Sequence, residues 1–148
     1  MSLPRPQWAT LIPHAGAMCL LDEVIAWDAA TIHARTHSHA RTYNPLRSDG
    51  MLRALHLCEY GAQAMAIHGG LLARAQGRVA TPGYLVSLRE VELHRARIDD
   101  IHAALEVHAQ HLLGGDGHWQ YAFRVEHAGL LLARGRAAVI TSPAPDRD

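Results

Sequence analysis

The stretch from Met51 to His68, M-L-R-A-L-H-L-C-E-Y-G-A-Q-A-M-A-I-H, constrains this chain more than any other. It reads as a helix that is apolar or small nearly all the way round, and a helix of that kind is buried on most sides. Its polar side chains gather on one stripe. At about 100° per residue, with Glu59 as zero, Gln63 falls near about 40°, His56 near about 60° and Arg53 near about 120°. A carboxylate in such a setting costs free energy unless it is paired, hydrogen-bonded or protonated. Asp49 is the expected N-cap, and Gly69-Gly70 the expected stop, with Leu71 to Ala80 able to add a further turn or two.

The flanking sequence supplies what covers this helix. Residues 1–10, interrupted by Pro4 and Pro6, are expected to form an arm. Pro13, His14 and Gly16 mark an irregular entry to a first strand, Met18 to Trp27. A second strand, Thr31 to His39, pairs with it across Asp28–Ala30. Arg41 to Gly50 is a loop. After the helix, Pro82-Gly83 opens a strand to about His94, whose alternation changes parity near Glu90 and predicts a bulge.

Ile101, Ala103, Leu105, Val107 and Ala109 alternate with His102, Glu106, His108 and Gln110 in the clearest period-2 pattern of the chain. A hairpin loop at Leu113–His118 follows. Trp119, Tyr121, Phe123 and Val125 alternate next, and Leu130 to Thr141 is a last strand. The tail S-P-A-P-D-R-D, 142–148, is expected to be flexible. The reading is α+β, a single domain over 1–148 in which a curled antiparallel sheet wraps one long helix. A sheet with one helix keeps an uncovered edge and flank, so it is expected to dimerise.

Composition narrows the function. The 14 basic and 14 acidic residues balance, and every basic residue is Arg. No basic footprint suggests nucleic acid or an anionic membrane surface. No apolar run approaches the ~20 residues of a membrane span, and the N-terminus lacks the apolar core of a signal peptide. Cys19 and Cys58 give no disulfide framework and read as buried thiols of a reducing compartment, which predicts a cytoplasmic protein. Twelve His and a pI near 7.2 predict a marked charge response just below neutrality. His33, His37 and His39, like His102, His108 and His111, lack Cys or acidic residues at ligand spacing. They read as a His-rich solvent face, and no metal site is expected. Phosphate-loop, C-x-x-C, nucleophile-elbow and dinucleotide motifs are all missing.

Two candidates remain. Glu59 and Gln63, at i and i+4, place an amide over a carboxyl on one helix face, an arrangement suited to a general acid in an apolar surround or to a structural network. His14, in a segment that regular helix excludes, is a candidate base or a hydrogen-bonded loop residue. Gly61, with Ala54, Cys58, Ala62 and Ala66, is expected to let the sheet approach the helix closely.

Two blocks of the chain resemble the 3-hydroxyacyl-[acyl-carrier-protein] dehydratases of the hotdog fold. I-P-H-A-G-A-M-C-L-L-D-E-V is similar to that family's opening P-H-…-L-L-D-R-V. C-E-Y-G-A-Q-A-M, Cys58 to Met65, is similar to its helix motif E-A-M-A-Q. The wording P-H-A-G-A-M-x-L-L-D looks closest to a divergent branch found with aryl-polyene or related polyketide clusters. The resemblance implies a dimer, a homodimer or a heterodimer with another hotdog subunit, and a site at the subunit interface. It implies reversible loss of water from a 3-hydroxyacyl thioester to give the trans-2-enoyl thioester. The acyl group is carried by acyl carrier protein or CoA, so phosphopantetheine belongs to the substrate and the protein needs no cofactor of its own.

In the usual members a His of one subunit takes the α-proton, and an acid on the partner's helix protonates the departing hydroxyl. A backbone N–H at the helix start polarises the thioester carbonyl. Carried over, Glu59 stands at the acid, Gln63 at the motif glutamine and Ala54 at the helix-start amide. Gln63, His56 and Ala54 are then expected to contact substrate. The chain departs from the pattern in one place. The usual His lies in a G-H-F-P-G loop, but here the loop reads Y-N-P-L-R-S-D-G, with Pro45 where the His would stand. His14 is the expected replacement, because it lies in the other matched block and Gly16 leaves room for close approach. His56 serving from the helix, or a different or lost chemistry, are the alternatives. A hotdog acyl-thioesterase using the same carboxylate, and a non-catalytic subunit partnering an active dehydratase, are the competing functions.

Overall fold

The computed structural model describes residues 2–78, 83–115 and 117–141; the expected flexible tail and the first residue of the Pro82-Gly83 strand opening lie outside them. The strands are β1 (Leu3–Pro4), β2 (Glu23–Trp27), β3 (Thr31–Thr36), β4 (Gly83–Leu93), β5 (Leu105–Gly115), β6 (His118–His127) and β7 (Leu130–Thr141), and the helix is α1 (Leu57–Ala75). They form one antiparallel sheet in the order β1-β2-β3-β5-β6-β7-β4. The sheet curls about α1, which packs on β3, β5, β6 and β7. This is the hotdog arrangement the sequence predicts.

Alternation explains why the sheet faces the helix as it does. Leu105, Val107 and Ala109 of β5 and Tyr121, Phe123 and Val125 of β6 are buried, while Glu106, His108, Arg124 and Glu126 turn to the outer face. Parity breaks at the expected place on β4: its register with β7 shifts between Arg89 and Glu92, and Glu90 takes a positive φ of 54°. Gly61 lets β6 come close. A Cβ there would lie 2.7 Å from the Phe123 ring, so any side chain would push the sheet off the helix.

Several boundaries differ from the sequence reading, each for a long-range reason. The helix does not begin at Met51. Residues 52–54 run beside 96–98, with Ile98 N–H donating to Leu52 O (2.9 Å) and Ala54 N–H to Ala96 O (3.0 Å), before a 3-10 turn at Ala54–His56 leads into α1. Arg53 therefore leaves the polar stripe and pairs with Arg97 in an isolated β-bridge. Asp49 does not cap. It lies exposed with a positive φ of 54°, 3.6 Å from Arg53.

Asp99 anchors this entry instead, accepting from Leu52 N–H and from the Arg97 guanidinium, which holds its carboxyl well below the usual carboxylate range. Gly69-Gly70 does not stop the helix, because Leu11 packs against Gly70 and the following turn buries Leu71 and Ala73, which outweighs glycine's low helix propensity. The stop is Gly77, φ +69°, where Gly77 N–H donates to Arg74 O and Arg78 N–H to Ala73 O.

The N-terminal segment is not an arm. Leu3–Pro4 adds an edge strand to β2, and Trp8 is fully buried, its Nε1 donating to Leu3 O at 3.2 Å. The first strand starts at Glu23 and not at Met18, the second ends at Thr36 and not at His39, and β5 begins at Leu105 and not at Ile101.

The His-rich solvent face holds only in part: His37 and His102 are exposed and His108 lies on the outer face, but not every histidine is outside. His39 is buried and donates from Nε2 to Ile101 O (2.9 Å). His68 is buried between Asp28 O (2.8 Å, to Nε2) and the Tyr121 hydroxyl (2.9 Å, to Nδ1), so Nε2 carries the proton and Tyr121 donates. His108 stacks on His33, with ring centroids 4.3 Å apart. Burial lowers the pKa of all three. His108, which also faces Arg124 and His33, falls to about 4.

The unfolded chain therefore takes up protons that the folded one refuses. Stability is full above pH 6.5, the ordinary imidazole value, and is lost as pH falls toward the depressed folded values. Each ring contributes a slope of up to about 1.4 kcal/mol per pH unit within its window. Melting temperature is expected to drop by several degrees between pH 6.5 and 4; a flat profile would mean that these rings are protonated in the folded protein.

Candidate functional site

The segment from Pro13 to Asp22 crosses one face of α1, and the side chain that fastens it there is Gln63. Its amide is fully buried and fully used. Oε1 accepts from Leu20 N–H at 2.9 Å, and Nε2 donates to Met18 O at 2.8 Å and to Glu59 Oε1 at 3.5 Å. A second fastening lies just beyond, at Asp22. Burial alone would push the Asp22 carboxyl up. The His37 N–H (2.8 Å) and the Arg41 guanidinium (3.0 Å) outweigh it and, with Arg5 (2.9 Å), hold it below its usual range.

Between the irregular start and these anchors, Gly16 turns the chain at φ +59°, which frees the backbone to reverse into the 3-10 turn Gly16–Met18. His14 is delivered onto the helix by that turn. Its Nε2 lies 3.1 Å from Glu59 Oε1.

Three of the residues singled out in the sequence thus meet: His14, Glu59 and Gln63, from two segments of one chain. The pair is neither sealed nor free. The His14 side chain is 28% exposed and that of Glu59 36%, so the expected enclosure of Glu59 in an apolar surround is only partial. The Nδ1 atom of His14 is buried and meets no partner among the described residues, so the ring is oriented by Glu59 and by its backbone turn alone.

The other two residues stand differently. His56, half-buried in the 3-10 turn, makes no side-chain hydrogen bond to Glu59 among the described residues. Ala54 does not offer a free amide, because its N–H is spent on Ala96 O; the next N–H, of Leu55, meets no acceptor among the described residues. Gln63 is enclosed by its own chain, which makes it a positioning group and leaves no edge for substrate.

What sequence reasoning missed is the second half of the Gln63 clamp. The Met18 carbonyl and the Leu20 amide are backbone groups, invisible as motif letters, and lie 45 and 43 residues away. Replacing Gln63 by Leu strands both of them. The expected result is a stability loss of about 1–3 kcal/mol and, from loosening of the His14 segment, a fall of up to about 10²-fold in turnover. Unchanged turnover in the folded Gln63→Leu protein would show that the clamp does not position His14.

Among the described residues no group of three or more His, Cys, Asp and Glu side chains gathers as a metal site would require, and no helix is long and apolar enough to cross a membrane. Cys19 and Cys58 are free and buried, and burial raises both thiols.

Comparison with known proteins adds the following. A family model described as ApeP-like, ApeP dehydratase, matches residues 6–147. No curated protein matches the chain. Among solved structures, the dehydratase heterocomplex ApeI:P from Xenorhabdus doucetiae superposes with a TM-score of 0.82 at 20% identity, covering 95% of this chain and 92% of that one. AziG from S. sahachiroi gives 0.58 at 16% identity, over 82% and 90%. A hypothetical thioesterase from Streptococcus pneumoniae TIGR4, solved with coenzyme A, gives 0.60 at 10% identity, over 83% and 87%. At these identities the structural likenesses establish the hotdog fold, while the family match covers nearly the whole chain.

Proposed function

The chain belongs to the ApeP-like dehydratase family, and from that premise we propose that it removes water from a 3-hydroxyacyl thioester, with His14 as base and Glu59 as acid. The acyl group is carried on acyl carrier protein or CoA. A second hotdog subunit, a copy of this chain or a relative, completes the walls around the acyl chain.

The observation that carries this reading is the 3.1 Å approach of His14 Nε2 to Glu59 Oε1 in a dehydratase whose helix-preceding loop holds no histidine. His14 Nε2 takes the proton from Cα, and the C–H electron pair becomes the Cα–Cβ double bond. The Cβ–O bond breaks as Glu59 gives its proton to the departing hydroxyl, which leaves as water. His14 is then protonated on Nε2 and Glu59 ionised, within hydrogen-bond distance of each other. Transfer of that proton from Nε2 to Oε1 restores both groups. The role of thioester-carbonyl donor falls to the Leu55 N–H, a reading supported by its lack of an acceptor among the described residues, where the Ala54 N–H is spent on Ala96 O.

The test is incubation of the purified protein with a 3-hydroxyacyl thioester, following enoyl thioester absorbance and free thiol in parallel. Enoyl product without thiol release supports the dehydratase. Thiol release without enoyl product would make it a thioesterase, and no reaction with either readout, even with acyl carrier protein substrates, would make it a non-catalytic subunit.

A further inference from the structure

The usual hotdog dehydratase divides its acid and base between two subunits, whereas here both candidates come from one. We infer that each chain carries a complete acid–base pair, so that the partner subunit shapes the substrate channel and supplies no catalytic side chain. The inference rests on the roles proposed for His14 and Glu59.

Three observations carry it. The His14–Glu59 separation of 3.1 Å is set inside the chain, and so is everything that maintains it. The Gln63 amide grips Met18 and Leu20, and Asp22 ties the same segment to Arg5, Arg41 and the His37 backbone. None of these contacts needs a second subunit.

The loop that would reach into a neighbour's site is also ill suited to it. Tyr43 to Gly50 contains no imidazole. Asn44 fastens the loop to its own core, donating to Ser38 O (2.9 Å) and to the Tyr60 hydroxyl (3.1 Å) and accepting from Leu46 N–H (2.9 Å). The side chains it presents, Tyr43, Pro45, Ser48 and Asp49, include no base that could replace an imidazole at neutral pH other than the Asp49 carboxylate, which lies 3.6 Å from Arg53 of its own chain.

Finally, His56, the other imidazole near the acid in sequence, makes no bond to Glu59. In a symmetric dimer built this way, two independent sites sit side by side.

Mixed dimers separate this arrangement from a shared site. His14→Ala and Glu59→Gln proteins carrying different tags are co-expressed, and species holding both tags are isolated. An intrachain pair leaves the mixture as inactive as either parent, because neither chain is whole. A shared site would restore one of two sites, about half of wild-type activity, and overturn the inference.

The reciprocal mixture, wild type with the His14→Ala/Glu59→Gln double variant, is expected to keep about half the activity, since one chain is intact; a shared site would leave none. If no doubly tagged species forms, the wild-type chain purified alone decides. Dehydration by it supports the inference; where a second hotdog subunit is required, activity that survives replacement of that subunit's own histidine and acid supports it, and activity lost with them overturns it. Full activity of both single variants would instead refute the proposed roles, an outcome distinct from rescue in the mixture.

Discussion

Glu59→Gln is expected to lower turnover of a 3-hydroxyacyl thioester by about 10²–10⁴-fold, the usual weight of a positioned proton donor. The amide has nearly the shape of the carboxyl, and its Oε1 keeps the contact with Gln63 Nε2. It cannot give a proton to the leaving hydroxyl or recover one from His14. Stability should change little, within about 0.5 kcal/mol, because Glu59 is 36% exposed and its neighbour His14 is itself partly exposed.

The diagnostic is this split: turnover collapses while the melting temperature holds. Steady-state kinetics on the folded variant measure it, and a Glu59→Gln protein retaining more than a tenth of wild-type turnover would remove Glu59 from the chemistry. A parallel fall with His14→Ala is expected, and the double variant should lose little more than either single one. Residues passing one proton between them fail together.

Trp8→Ala is expected to have the largest effect on stability, about 3–5 kcal/mol. The side chain is fully buried among the core residues, and Leu11, three positions on, lies against Gly70 of α1. Arg5, three positions earlier, reaches Leu21 O and Asp22. Removing the indole therefore empties the junction between the N-terminal segment, the helix and the Asp22 anchor. For a chain of this length a loss of that size lowers the melting temperature by on the order of 10 °C. Tyr43→Ala, at an exposed position, is the control and should stay within about 0.5 kcal/mol. A Trp8→Ala protein as stable as that control would return residues 1–10 to the status of a dispensable arm.

Those two substitutions mark the boundary of what sequence reading reaches. Glu59 was legible because its oddity is local: an acid on an apolar helix, four residues before an amide, can be seen on a helical wheel. The strands were legible for the same reason. Leu105, Val107 and Ala109 alternate with Glu106 and His108, and a period of two needs no knowledge of the partner strand. Even the parity change at Glu90 is a property of neighbouring residues, and the bulge followed.

Trp8 was not legible, since two prolines nearby suggest an arm and nothing local reveals that the core will receive it. Gly69-Gly70 misled because the local cost of glycine in a helix, about 1 kcal/mol each, is smaller than the burial of the turn that follows. Asp49 misled because its place as N-cap was lost when 52–54 paired with 96–98, an event that depends on Asp99.

By itself, then, the sequence determined the helix, the alternating strands that must cover it, the acid on its polar stripe and the family blocks around His14 and Glu59. These are statements about residues within a few positions of one another, where backbone period and side-chain chemistry decide. Only the tertiary structure decided that His14 reaches Glu59, that Gln63 holds it there through backbone groups 43 and 45 residues away, and that His39 and His68 are buried as neutral rings. Those outcomes rest on loop closure and on satisfying buried polar groups across the fold, and neither leaves a periodic trace in the chain.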